Sequence, residues 1–167
     1  MPNPSLADAL KEAYVCCPTG KVIYDTLEVR QDGVQTSLYF VRGRIPISAR
    51  DETGTKRTFT PCGFQISLPP ENEEGFRSLN IAIDNIGRTV SDFLTIAKSD
   101  KEPVKLIYRP YLSDNLEEPQ MIPPLTLFLK EVQVTVTQVT GRATFMDVVN
   151  RKFPSELYDR YRFPSLQ

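Results

Sequence analysis

The 167-residue chain contains no histidine. That absence removes the Ser-His and Cys-His nucleophiles, the imidazole general base and every histidine-containing metal centre. Acid/base chemistry would have to rest on carboxylates. Asp25, Glu28 and Asp84 fall on or beside segments that read as strands. Two such groups held roughly 5–9 Å apart would suffice to cleave a glycosidic bond. The alternative is that all three sit on solvated strand faces. Asp51-Glu52 and Glu71-Asn72-Glu73-Glu74 cluster oxygen ligands, but neither has the spacing of a calcium or magnesium loop. Gly20-Lys21 lacks the upstream glycine and the following Ser/Thr of a phosphate-binding loop.

Cys16, Cys17 and Cys62 form neither a disulfide framework nor a Cys-x-x-Cys pair, and adjacent cysteines bridge only with strain. The expectation is three reduced thiols in a cytosolic protein, with Cys62 buried as a small apolar filler. With no histidine and no helix N-terminus after Cys16 or Cys17, nothing is on hand to activate a thiol. These patterns assign no catalytic residue, no cofactor and no metal, so the chain is expected not to be an enzyme. A carboxylate-based hydrolase of cell-wall glycan is the rival reading.

Twenty Lys+Arg against 21 Asp+Glu give a formal net charge of −1, with no global basic surface for nucleic-acid binding. The length suits one domain. No stretch reads as a signal peptide, and no apolar run approaches the ~20 residues of a membrane-spanning helix. Residues 1–150 are expected to form one β-rich domain opened by a helix, with 151–167 as a separate arm.

The elements that must position these residues follow from periodicity. Leu6, Ala9, Leu10, Ala13 and Tyr14 form the apolar stripe of a short helix, with Ser5 and Asp8 at its start and Pro18-Gly20 at its stop. A hairpin is expected from Val22–Arg30, a tight turn at Gln31-Asp32-Gly33, and Gln35–Arg42. Ile45–Ala49, a charged tip at 50–57 and a returning strand Thr58–Leu68 follow. Leu79, Ile81 and Ile83 alternate with Asn80, Ala82 and Asp84, the period of a half-buried strand. Val90, Phe93, Leu94 and Ala97 give a second helix its apolar face. Val104, Leu106 and Tyr108 open another strand, and 110–124, with its prolines and acids, reads as a long exposed loop. Leu125–Lys130, Val132–Val139 and Ala143–Val149 complete the set. Two helices cannot cover both faces of a parallel sheet, so the pattern predicts a mainly β fold, an antiparallel sandwich or barrel-like body with one or two short flanking helices.

Charge is segregated. Glu71, Glu73 and Glu74 have no basic neighbour in their loop, nor do Asp114, Glu117 and Glu118 in theirs. The C-terminal arm carries Arg151, Lys152, Arg160 and Arg162 against Glu156 and Asp159. Separate protrusions of opposite sign suit a head-to-tail contact between identical subunits, although ordinary solubility also produces such loops. The arm further concentrates Phe153, Tyr158, Tyr161 and Phe163, and its two Phe-Pro pairs oppose a continuous helix. At ~1.5–3 kcal/mol per buried ring, such a segment belongs in a groove, on its own domain or on a neighbour. The residues expected to make a subunit contact are Phe153, Pro154, Tyr158, Arg160, Tyr161, Arg162, Phe163 and Leu166.

Phe153-Pro154, Tyr158, Tyr161 and the closing Phe163-Pro164-Ser165-Leu166, behind a short helix and a β-rich body, resemble the minor tail proteins of long-tailed phages. Ser165 stands where that family's ending has glycine. The resemblance implies a structural virion component: a distal-tail or tail-tip protein with a tube-like β fold, assembled in the host cytoplasm. Its implied partners are copies of itself in a hexameric or trimeric ring, the tail tube protein and the tail hub proteins. It requires no nucleic acid, no membrane span and no catalytic residue. A receptor- or carbohydrate-binding module of the tail is a further alternative, weakened by the absence of Trp.

Overall fold

A computed structural model describes residues 7–16, 20–67, 78–97 and 102–145. The fold is mainly β, with two short helices. In chain order it comprises α1 (Asp8–Cys16), β1 (Ile23–Arg30), β2 (Leu38–Val41), β3 (Ile47–Arg50), β4 (Lys56–Pro61), β5 (Phe64–Ser67) and β6 (Ser78–Asp84). A 3-10 turn at Ile86–Arg88 leads into α2 (Thr89–Ala97), then β7 (Lys105–Leu112), β8 (Leu125–Val134) and β9 (Gln138–Thr144).

The strands lie in the order β3-β4-β2-β1-β7-β8-β9-β6-β5. Only Cys62 and Gly63 separate β4 from β5, yet β4 lies next to one end of that order and β5 is the other end. The Cys62 N–H donates to Val41 O (3.0 Å), continuing the β2/β4 pairing, and the Asp84 N–H donates to Gly63 O (2.8 Å), continuing β5/β6. One bent strand therefore bridges both ends, and the sheet has to curl back on itself in a barrel-like form.

The principal core lies inside this curl. Leu27 and Val29 of β1, Phe40 of β2, Ile81 and Ile83 of β6, Leu106 of β7 and Leu127 of β8 meet Val90, Phe93 and Ala97 of α2. A second cluster, Val41, Ala49, Phe59 and Tyr111, lies where β3 and β4 fold over the other face of β2, β1 and β7. Phe59 packs edge-on to Tyr39 at 5.7 Å and tilted against Tyr111 at 6.0 Å. A third joins Leu10 and Ala13 of α1 to Leu112 and Ile23.

Several boundaries differ from those expected. The described part of the expected strand Thr58–Leu68, as far as Ser67, falls in two strands, because Cys62-Gly63 hands the chain from one ladder to the other. β2/β4 is a parallel pair, whereas every other pairing between named strands is antiparallel. The first hairpin closes through residues 31–37, not a tight Asp-Gly turn, although Gly33 does adopt a positive φ of 96°. β8 runs past Lys130 by absorbing a bulge at Glu131, with φ of 51°, before turning at 135–137.

The expected exposed loop at 110–124 is largely structural. Pro110, Tyr111 and Leu112 belong to β7 and are buried. Pro110 is tolerated there because, opposite Asp25 of β1, its backbone groups face away from β1, toward the side on which β8 pairs no further along β7 than Tyr108. Its carbonyl accepts from the Gln120 N–H at 2.9 Å, which folds the following segment back onto the strand.

Candidate functional site

The three acids singled out for chemistry do not share a cleft. Asp25 and Glu28 lie on opposite faces of β1, because side chains alternate along a strand. Asp25 accepts from the Tyr108 hydroxyl (2.6 Å) and pairs loosely with Arg42 (3.7 Å). Burial and then the Asp25 carboxylate push the Tyr108 phenol above its ordinary range. Asp84 ends β6 several strands away, where an added Cβ on Gly63 would come 2.1 Å from its Oδ2. Cys62 beside it is half-buried, and burial followed by the Asp84 charge holds its thiol above the usual value. Cys16 is exposed.

Glu28 is not on a solvated face. It lies buried beneath the β3–β4 hairpin with Arg109, whose side chain is only 3 % exposed. Arg109 Nη1 donates to Glu28 Oε2 at 2.7 Å. Its Nε and Nη2 grip the two oxygens of Glu52 at 2.6 and 2.9 Å, a bidentate fork. Burial alone would lower the guanidinium pKa; the Glu52 and Glu28 hydrogen bonds outweigh it, and the net shift is upward. Arg109 in turn holds the Glu52 carboxyl below its ordinary value against the opposing effect of burial.

The charged tip at 50–57 thus works inward. Glu52 closes over Arg109, and Asp51 accepts the backbone N–H groups of Thr53 and Thr55 at 2.9 Å each. Burial opposes ionisation of Asp51, but these bonds and the Thr53 hydroxyl and Arg57 contacts bring its pKa down. The Tyr111 hydroxyl donates to Arg50 O (2.8 Å), and burial pushes that phenol up to about 12. Two of the three acids of the next segment also find cations: Asp114 pairs with Lys21 (3.1 Å) and Glu117 with Arg50 (2.7 Å). Charge was read within each loop, whereas the partners come from distant sequence.

Phe153, Pro154, Tyr158, Arg160, Tyr161, Arg162, Phe163 and Leu166 lie outside the described residues, as do Glu71, Glu73 and Glu74. Arg109 was missed, although one charge in the run Leu106-Ile107-Tyr108-Arg109-Pro110-Tyr111 is the signal of a buried pair. Asn85 was missed as well. It is buried after β6, donates to Thr135 O (3.2 Å) and accepts from the Ser91 N–H (3.3 Å). Among the described residues, no group of His, Cys, Asp and Glu is placed to hold a metal ion.

Two cavities mark the surface. One, of about 340 Å3, opens on the outer face of β5, β6, β9 and β8 among Gln65, Ser67, Asn80, Gln133, Thr140 and Arg142. The other, of about 420 Å3, is lined by Asn85, Gly87, Arg88, Val136 and Thr137. Residues 9–158 match a family described as a domain of unknown function, DUF1833. The chain belongs to that family. The DUF1833 match covers the whole described body from β1 to β9 and continues into the arm as far as Tyr158. No curated protein matches the chain. Among the described residues of this DUF1833 chain, no helix is long and apolar enough to cross a membrane.

Proposed function

We propose that this chain is a structural subunit that works by fitting against its neighbours, a ring-forming distal-tail or tail-tip component of a long-tailed phage joining the tail tube to the hub. The observation that carries the reading is where its polar groups are spent. Asp25, Glu28, Glu52 and Arg109 each fasten one element to another, Asp51 ties its own turn together, and the three candidate acids do not share a cleft. A pinned, barrel-like body suits a rigid wall element. The aromatic arm, with Phe153, Pro154 and Tyr158 inside the matched family segment, supplies the resemblance to tail proteins and the latch to an adjacent subunit or the hub.

Deletion of 151–167 tests the latch. The truncated chain should retain a cooperative thermal transition and fail to enter tails. Infectious particles assembled with the truncated chain would refute it. The polar cavity of Gln65, Asn80, Thr140 and Arg142 favours one second reading, saccharide binding on the outer sheet face. Glycan-array binding abolished by Asn80→Ala would support that alternative in place of the ring.

A further inference from the structure

The junction between β6 and α2 is built with unusual firmness around exposed side chains. The Asn85 N–H donates to Thr137 O (2.8 Å), and its side chain bridges Thr135 O to Ser91. This locks the turn at 86–88 against the turn at 135–137. Two side chains project from the junction: Arg88, exposed, and Val136, 81 % exposed. Gly87 has φ of 78° and Arg88 φ of 62°, both left-handed. Glycine suits that conformation, whereas arginine is strained in it, and strain retained at an exposed residue points to use. The Arg88 guanidinium has no ion pair or hydrogen bond among the described residues, although Asp84 and Asp92 lie four positions to either side.

The opposite end of the sheet offers the complement. Because β7 and β8 are antiparallel, the segment after β7 and the turn after β8 emerge at opposite ends. The segment 113–124 is anchored there by Gln120 N–H to Pro110 O and Arg50 N–H to Leu116 O, both 2.9 Å. Its Asp114 and Glu117 are paired within the chain. Glu118 is exposed with no side-chain partner among the described residues, and Ile122 nearby is 57 % exposed.

We propose that these are the two halves of a head-to-tail contact between copies of this chain, with Arg88 and Val136 of one subunit seated on Glu118 and Ile122 of the next. The contact rests on the ring-subunit reading and specifies which surfaces meet. It is heterologous, so repetition generates a ring where the rotation closes and a filament where it does not. Like charges placed across such a contact oppose it strongly, so each charge reversal should weaken association roughly tenfold or more.

Sedimentation velocity on the full-length chain tests this over a concentration series. Wild type should self-associate, while Arg88→Glu and Glu118→Arg should each remain monomeric. Mixing the two variants should recover higher assembly in alternating order, since position 88 of each then faces the opposite charge at position 118 of the other, and the double variant should recover it alone. Arg88→Gly separates recognition from folding: it relieves the backbone strain, so the thermal midpoint should hold or rise while association falls. Wild type that stays monomeric at its solubility limit, or single reversals that associate like wild type, would overturn the contact. Incorporation of Arg88→Glu into tails at the wild-type level would also overturn it and leave the tail reading standing, whereas absence of the wild-type chain from tails would sink the tail reading itself.

Discussion

Arg109 keeps its charge in an almost dry site because three hydrogen bonds to two carboxylates offset the desolvation. Removing one partner of such a group is far costlier than replacing the pair. Arg109→Met should destabilise by ~3–5 kcal/mol, because it strands Glu28 without its cation. At about 2–4 °C per kcal/mol for a chain of this size, the melting midpoint should fall by roughly 6–20 °C. Arg109→Met combined with Glu28→Leu should recover most of that loss, which denaturant titration of the full cycle would show. Glu52 gives the same clamp an acid limit. Its folded pKa lies below its ordinary value of 4.5, so its contribution is complete above that pH and is lost as pH falls through the folded value. Glu52→Gln removes that titration, so the stability gap between wild type and variant should narrow steadily below pH 4.5. A gap constant down to acid unfolding would show that Arg109 does not set the Glu52 titration.

At the scale of elements, the bend at Cys62-Gly63 is what lets one strand serve both ends of the sheet. A methyl at Gly63 would meet the Asp84 carboxylate at 2.1 Å, so Gly63→Ala must displace that side chain or open the bend. The expected cost is about 1–3 kcal/mol, as for other overpacked sites. Asp84→Ala should restore most of it, and a cost unchanged in the double variant would place the strain in the backbone instead. This bend also marks how far local pattern reading reaches. Alternation along Leu79, Ile81 and Ile83 and the helical spacing of Val90, Phe93 and Ala97 each sufficed to place an element, because both faces of those segments have a clear polarity. Thr58–Leu68 looked like one strand because nothing local records a change of partner. Pro110 and Pro119 looked like loop residues because their burial depends on contacts made from elsewhere in the chain. The clamp was hidden for the same reason: Glu28, Glu52 and Arg109 are separated by 57 and 81 positions, so only the tertiary fold joins them.

For the whole molecule, the strand that bridges both ends of the sheet makes the body one cooperative unit, because opening either end exposes the shared core. α1 stands outside that closure. Its buried contribution is Leu10 and Ala13 against Leu112 and Ile23, supplemented by the Ala7 N–H to Gln120 O bond of 2.9 Å. A helix of nine residues has little stability of its own, so this small packing surface largely decides whether α1 stays docked. Leu10→Ala should therefore release the helix locally. In native-state hydrogen exchange, the α1 amides of that variant should lose protection, while those of β1 and β7, whose Leu27 and Leu106 lie at the centre of the core, exchange only through global unfolding. If Leu10→Ala instead lowers protection equally in α1, β1 and β7, the helix belongs to the cooperative unit. A detachable α1 would leave the β3–β4 clamp and the Asn85 junction intact, because neither draws a side chain from it. Undocking would cost the segment 113–124 its tether from the Ala7 N–H to Gln120 O, leaving the bonds to Pro110 O and from the Arg50 N–H to hold it.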